Sequence, residues 1–266
     1  MKNFLFYVGN ARAGSTWLYG ELNARGDCDF GEIKENFYFV DGFTLSPELS
    51  KKDYFSRYRS LAENDDIILL GDMTPSNALA TKEELYRYNE EMLRNGLKCL
   101  PVMTLRDPLS IAISQTKMNH AMITQMRQAN AFSLREWVGG SNRSVEEIRG
   151  EHVLKNGNPP FLDKMVSWQT TAENCREVFG SIHFNLFEIM FSEGEMRKLT
   201  DYLDIPYEDM NFSTKRFNID CDNVNITDGE KQKIYNTFPF SKENYQFAVD
   251  VFGKGLIESV WWNPNK

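Results

Sequence analysis

The sequence has few of the residues that build metal centres and disulfide frameworks. Its 266 residues include 4 cysteines and 3 histidines. The cysteines are scattered without a CxxC pair, at Cys28, Cys99, Cys175 and Cys221. Because zinc sites and disulfide scaffolds need closely or regularly spaced ligands, the sequence predicts neither. We expect reduced thiols, no metal requirement and a cytoplasmic setting.

Long apolar runs and an excess of positive charge are also missing. The apolar stretch before Gly9 is shorter than that of a signal peptide, and no later stretch has the length of a membrane span. The formal net charge of −8 disfavours a general affinity for polyanions such as DNA. We therefore expect no nucleic-acid partner and no membrane partner. A small anionic ligand still fits a local basic pocket, and the oligomeric state is left open.

Apolar runs that alternate with amphipathic segments indicate the fold class. Strands are predicted at 2–8, 67–70, 99–105 and 182–187, and helices at 15–23, 52–63, 85–95 and 161–179. The order predicts a three-layer α/β fold, in which helices flank a central, mostly parallel sheet of about four or five strands. Pro101 suggests that its strand is an edge strand or starts irregularly. No linker marks a boundary, so we expect a single domain over 1–266, with a variable acceptor-side lobe near 120–160.

A glycine-bearing loop joins the first predicted strand to the first helix. Residues 9–16, GNARAGST, nearly match the nucleoside-triphosphatase pattern GxxxxGK[ST]. At such a junction, backbone N–H groups and a helix N-terminus face an anion. Ser15 replaces the lysine that serves the β- and γ-phosphates, which argues against ATP or GTP hydrolysis. The cation lies at Arg12 instead, which suits a less charged ligand; the alternative is a glycine turn that only connects strand and helix.

Two segments together resemble the PAPS-dependent sulfotransferases of the P-loop type. Residues 9–19, GNARAGSTWLY, are similar to the loop [KR]-[SA]-G-[ST]-T-x-L, which holds the 5′-phosphosulfate of 3′-phosphoadenosine 5′-phosphosulfate (PAPS). Residues 102–114, VMTLRDPLSIAIS, resemble the family's 3′-phosphate motif, an arginine after a strand and a serine on the following helix. The resemblance implies sulfuryl transfer from PAPS to an acceptor hydroxyl or amine, with 3′-phosphoadenosine 5′-phosphate (PAP) as the product.

The same resemblance implies the cofactor contacts. The 5′-phosphosulfate would be held by Ala11, Arg12, Ala13, Gly14, Ser15 and Thr16. Trp17 would stack on the adenine, with a core position as its alternative. Arg106 and Ser114 would bind the 3′-phosphate, because arginine offers a planar fork of donors and serine one more. Residues 212–217, FSTKRF, resemble the C-terminal cofactor loop of the glycan-directed branch, which adds Lys215 and Arg216.

The resemblance also suggests a general base. Residues 34–39, KENFYF, are similar to the K-E-x-[HN]-[FY]-F segment of the bacterial and glycan-type branch, whose glutamate is the base. That glutamate is Glu35 here. Small-molecule sulfotransferases use a histidine instead, so His120 is the alternative, and we favour Glu35.

A third segment departs from the family pattern. Residues 71–76, GDMTPS, resemble G-E-K-[ST]-P-[SA], but Met73 stands at the lysine. Stabilisation of the leaving group then depends largely on Arg12, and Asp72 is a weaker candidate for a second acid or base.

The sequence therefore predicts a metal-independent sulfotransferase with Glu35 and Arg12 as catalytic residues. Its acceptor would be a small molecule, a glycan or a peptide. One alternative is a P-loop kinase or NTPase, which would need a lysine to enter the loop from elsewhere. The other is a non-catalytic nucleotide-binding module.

Overall fold

A computed structural model of the chain describes residues 1–31, 34–39, 51–114, 167–212, 227–237 and 240–262. The chain divides into two compact units. The first comprises Met1–Arg106 and Val166–Phe217, and the second comprises Asp107–Met165 and Asn218–Lys266. The expected lobe at 120–160 lies outside the described residues, and the expectation of a single domain stays a prediction.

A five-stranded parallel sheet forms the centre of the first unit. Its strands are β1 (Lys2–Tyr7), β2 (Cys28–Asp29), β3 (Leu69–Asp72), β4 (Leu97–Leu105) and β5 (His183–Leu186). Their order is β2-β3-β1-β4-β5, and every neighbouring pair is parallel. The prediction of a mostly parallel sheet of four or five strands is confirmed. The two residues of β2 were missed because so short a strand carries no periodic signal.

Nine helices lie within the described residues. They are α1 (Ser15–Asn23), α2 (Lys51–Ala62), α3 (Lys82–Arg94), α4 (108–114), α5 (Trp168–Phe179), α6 (Glu193–Leu203), α7 (Asp228–Thr237), α8 (Ser241–Phe252) and α9 (Lys254–Val260), with a short 3₁₀ helix at Pro75–Leu79. Helices α4, α7, α8 and α9 belong to the second unit. Helix α3 begins three residues earlier than the predicted start at 85, because Thr81 and Glu84 form a capping box.

Both faces of the sheet are covered by helices of the first unit. Because side chains alternate along a strand, Leu5 and Tyr7 of β1 face one way and Phe4 and Phe6 the other. The first face belongs to an apolar cluster with residues of α1 and α6, among them Leu18 and Leu199. On the second face, the ring of Phe4 lies 4.8 Å from that of Tyr58 in α2, and the ring of Phe6 lies 4.9 Å from that of Tyr88 in α3. This is the predicted three-layer arrangement.

Pro101 lies within β4, between β1 and β5, so the prediction of an edge strand was wrong. The carbonyl of Val102 faces β1, where it accepts from Val8 N–H at 2.9 Å, and the carbonyl of Leu105 faces β5. By alternation, Pro101 faces β5. Pairing with β5 begins only at Val102 and His183, so the missing N–H of Pro101 interrupts no ladder.

Candidate functional site

The carboxyl ends of the parallel strands bring the predicted segments to one edge of the sheet. The glycine loop follows β1, Arg106 follows β4 and Phe187 follows β5. Asp72 is the last residue of β3, and residues 73–74 come directly after it. Ligands of open α/β sheets bind beyond this edge. We therefore built the candidate site from these segments of the first unit.

The loop between β1 and α1 contains two residues in the left-handed backbone region. Gly14, the N-cap of α1, has φ 83°, and Arg12 has φ 66°. A non-glycine residue at positive φ is uncommon and costs energy, and such residues concentrate at ligand sites. A Cβ on Gly14 would lie 3.1 Å from the ring of Phe187, so this position has no room for a larger residue without a shift. The loop is therefore strained at Arg12 and depends on a glycine at position 14.

Arg106 connects the two predicted cofactor motifs. Its guanidinium donates a hydrogen bond to the carbonyl of Arg12, 94 residues away in the chain. The guanidinium carbon also lies 4.2 Å from the centre of the Phe187 ring, a cation–π contact. The arginine of the predicted 3′-phosphate motif thus lies against the predicted 5′-phosphosulfate loop and helps to fix its backbone.

The other residues predicted for the 3′-phosphate, and two of the histidines, lie in the second unit or outside the described residues. Ser114 lies in α4 of the second unit, and Lys215, Arg216, His120 and His152 lie outside the described residues. Asp107, directly after Arg106, caps α4 by accepting from Leu109 N–H at 3.2 Å and from Ser110 N–H at 3.1 Å. The binding roles of Ser114, Lys215 and Arg216 stay predictions.

Trp17 lies in the core of the first unit. Its side chain is 7% exposed, and its ring lies 4.9 Å from that of Phe191 and 6.1 Å from that of Phe212. This is the core position given above as its alternative. Stacking on an adenine stays a prediction.

Lys34 and Glu35 lie beside the loop. The Lys34 ammonium donates to the hydroxyl of Ser15, the first residue of α1, at 3.2 Å. It also forms an ion pair with the Glu35 carboxylate. The two side chains are 17% and 33% exposed, so they are partly sheltered but open to a ligand. The candidate base is thus linked to the phosphate loop through a lysine.

A set of hydrogen bonds around Asn36 fixes this segment. The Asn36 backbone N–H donates to the Thr74 hydroxyl at 2.6 Å. The side-chain amide of Asn36 donates through its N–H to the Tyr58 hydroxyl at 3.1 Å and accepts at its oxygen, Oδ1, from the Arg57 guanidinium. Tyr58 in turn donates to the carbonyl of Gly71 at 2.9 Å. These contacts hold residues 34–36 against the end of β3. The sequence analysis missed them, since nothing local in Asn36 signals partners from α2 and β3.

Asp72 and Met73 are both buried. The Asp72 carboxylate accepts from the Tyr54 hydroxyl at 2.8 Å and from Thr74 through its N–H at 2.9 Å and its hydroxyl. Burial raises the pKa of Asp72, against the opposing effect of these hydrogen bonds. Its observed partners make it a support for Thr74 and so for residues 34–36. Met73 is fully buried in the apolar cluster and supplies no cation where the family pattern has a lysine.

The one histidine in the described residues, His183, lies in β5. Its ring shares a hydrogen bond with the Asn185 side chain at 3.0 Å and packs 5.3 Å from the ring of Tyr202. Burial lowers its pKa below the ordinary value of 6.5. These contacts are those of a structural histidine.

The chain was compared with known proteins. No family model matches it, and no curated protein matches it. Among solved structures, the crystal structure of a sulfotransferase from Alicyclobacillus acidocaldarius matches with a TM-score of 0.59 over 97% of this chain and 99% of that chain. The two chains share a fold. Their sequence identity is 14%, so the likeness shows the architecture and leaves the reaction to be argued from the site.

Two features are absent from the part of the chain that the structure describes. No three or more His, Cys, Asp or Glu side chains in that part of the chain form a group that could hold a metal ion. In the same part, no helix combines the length and the apolar character needed to cross a bilayer.

Proposed function

We propose that this protein is a sulfotransferase of the PAPS-dependent family, which transfers a sulfuryl group to an acceptor hydroxyl or amine. The observation that carries the proposal is the contact between Arg106 and Arg12. Two motifs that resemble the cofactor-binding segments of one family meet at the edge of the sheet where ligands of such folds bind. The shared fold with a sulfotransferase supports the same reading.

The charges at the loop suit the donor. Arg12 lies in the loop, Arg106 contacts it and Lys34 reaches it, so three cationic residues converge in a chain of net charge −8. The N-terminus of α1, which begins at Ser15, adds the positive end of a helix dipole. Bound PAPS would supply the sulfuryl group and a phosphate leaving group.

The roles of the residues follow from the requirements of an in-line displacement. Glu35 accepts the proton of the acceptor hydroxyl or amine, as the acceptor atom bonds to sulfur and the bond from sulfur to the phosphate oxygen breaks. Arg12 stabilises the charge that develops on that oxygen. The hydrogen bonds around Asn36 hold Glu35 in place for this step. The acceptor is a small molecule, a glycan or a peptide.

Titration calorimetry with PAP tests the proposal directly. PAP should bind with micromolar affinity without Mg²⁺, and AMP, which lacks the 3′-phosphate, should bind at least about tenfold more weakly, a difference of about 1.4 kcal/mol or more. Equal affinities for the two nucleotides would remove Arg106 from a 3′-phosphate site. PAP release from PAPS in the presence of candidate acceptors then tests transfer.

A P-loop kinase or NTPase is the second candidate, and the contact of Lys34 with Ser15 favours it. That contact brings a lysine to the position where the triphosphatase pattern has its own. Release of phosphate from ATP or GTP with Mg²⁺ separates the two functions. Nucleotide turnover, without any PAP binding, would establish the kinase or NTPase function instead.

A further inference from the structure

The side chain of Lys34 reaches the phosphate loop from a different segment of the chain. Its ammonium lies 3.2 Å from the hydroxyl of Ser15, and its other partner is Glu35. In the family pattern a lysine is expected at position 73, after β3, but Met73 is fully buried among apolar side chains. The site therefore has a cation from Lys34 but none from position 73 at the end of β3.

The location of this ammonium is unfavourable without an anion. Ser15 begins α1, and the N-terminus of a helix carries partial positive charge that disfavours a cation. Among the contacts described for Lys34, only the Glu35 carboxylate offsets the positive charge of the ammonium. A bound anion at the loop would be contacted from one side by the α1 N-terminus and from the other by the ammonium.

We infer that Lys34 is a donor-binding residue, which contacts the 5′-phosphate or phosphosulfate group of the nucleotide and stabilises the leaving phosphate in place of the lysine missing at position 73. This inference rests on the proposed function and adds a residue to its site. The ammonium exchanges part of its contact with Glu35 for the anion, so one side chain links the donor to the base.

The assignment is specific to one end of the nucleotide. Lys34 reaches the 5′ loop at Ser15, so its loss should weaken ligands that carry a 5′-phosphate and spare those that do not. PAP and adenosine 3′-phosphate differ in this group alone. Lys34→Met removes the charge and keeps an unbranched apolar side chain, and Lys34→Arg keeps a charge with different geometry.

Calorimetry with both nucleotides on the full chain tests the inference. Lys34→Met should weaken PAP about tenfold or more and leave adenosine 3′-phosphate within about twofold of the wild type. Lys34→Arg should recover part of the PAP affinity. The matched control is Lys98→Met, because Lys98 is exposed near the amino-terminal end of β4, away from the carboxyl ends of the strands. This variant should bind both nucleotides as the wild type does.

Each result has a distinct meaning. Unchanged PAP affinity in Lys34→Met overturns the inference and leaves the proposed function standing. An equal loss for both nucleotides also overturns it, because Lys34 would then support the fold of the site as a whole. If the wild type binds no PAP but Lys34→Met abolishes turnover of ATP, Lys34 belongs to a triphosphatase loop, and both the inference and the proposed function are wrong.

Discussion

The phosphate loop and the segment with the candidate base are held in place in different ways. The loop at 9–14 is set by its own residues, through the left-handed backbone of Arg12 and Gly14, and receives one long-range contact from Arg106. Residues 34–36 are held by side chains from α2 and from the end of β3. The predicted binding half of the site is therefore largely local in the sequence, whereas the predicted catalytic half depends on distant residues.

This difference predicts that the two halves can be damaged separately. Changes at Glu35 or at the partners of Asn36 should reduce turnover and leave PAP binding nearly intact, whereas Lys34 reaches the loop at Ser15 and counts with the binding half. Changes at the loop or at Arg106 should reduce binding. Loss of PAP binding in a variant of Glu35 or Thr74 would contradict the division.

The largest effect is expected from Glu35→Gln. The substitution keeps the size of the side chain and removes the proton acceptor, so turnover should fall by about 10²–10⁴-fold while PAP affinity stays within a factor of a few. Steady-state rates and calorimetry on the same preparation measure both. His120→Ala is the control, and it should retain turnover if Glu35 is the base. Near-normal turnover in Glu35→Gln would remove it from the mechanism, and PAP binding without any turnover in the wild type would leave a nucleotide-binding module.

Arg106→Ala addresses the binding half. It removes a charge-assisted contact with a desolvated anion, so PAP should weaken by about 2–4 kcal/mol. AMP affinity should fall less than PAP affinity, because AMP has no 3′-phosphate and is affected only by the loss of the hydrogen bond from Arg106 to the Arg12 carbonyl. Arg106→Lys keeps the charge but loses the planar fork and the contact of the guanidinium with the Phe187 ring. Its PAP affinity should lie between those of the wild type and of Arg106→Ala. If PAP and AMP weaken alike, Arg106 acts only through the loop.

The sequence predicted the fold well, for identifiable reasons, whereas the roles of the site residues stay predictions. Helix α1 has the predicted bounds, because a glycine loop and an amphipathic run mark it locally. The parallel sheet follows from strands that alternate with helices, whereas β2 and the early start of α3 at Lys82 were not predicted. The bonds from Thr74 and Tyr58 to Asn36 could not be predicted, because they join residues 38 and 22 positions apart whose types carry no pairing signal.

Thr74→Val sharpens the comparison with a smaller effect. It removes the hydroxyl that accepts from Asn36 N–H and donates to Asp72, and leaves a side chain of the same shape. Turnover should fall about tenfold, unfolding free energy by about 1–3 kcal/mol, and PAP affinity should hardly change. The control is Thr200→Val in α6, a buried threonine whose hydroxyl bonds within its own helix. If both variants lose equal turnover, general destabilisation explains the effect, and Thr74 does not position Glu35.

The smallest effect concerns His183, which lies outside both halves of the site. Burial holds its pKa below the unfolded value of 6.5, so the unfolded chain binds more protons than the folded one as the pH falls below 6.5. Its contribution to stability is therefore fully present above pH 6.5 and is lost as the pH falls from 6.5 through the lower folded pKa. The slope of the unfolding free energy against pH that one such group adds is at most about 1.4 kcal/mol per pH unit, and partial exposure of the His183 ring should keep the change well below that limit.

Denaturant unfolding of the wild type and of His183→Gln, each at several pH values between 5 and 8, measures this term. The variant should be somewhat less stable at pH 8, because it loses the packing of the imidazole on Tyr202. Its stability should then decline less than that of the wild type toward pH 5. His120 and His152 are present in both proteins, so their titration cancels in the difference. Parallel pH profiles of the two proteins would mean that His183 titrates alike in the folded and the unfolded chain. PAP affinity at constant pH should be the same in the wild type and in His183→Gln, because the described partners of the ring include no residue of the phosphate loop.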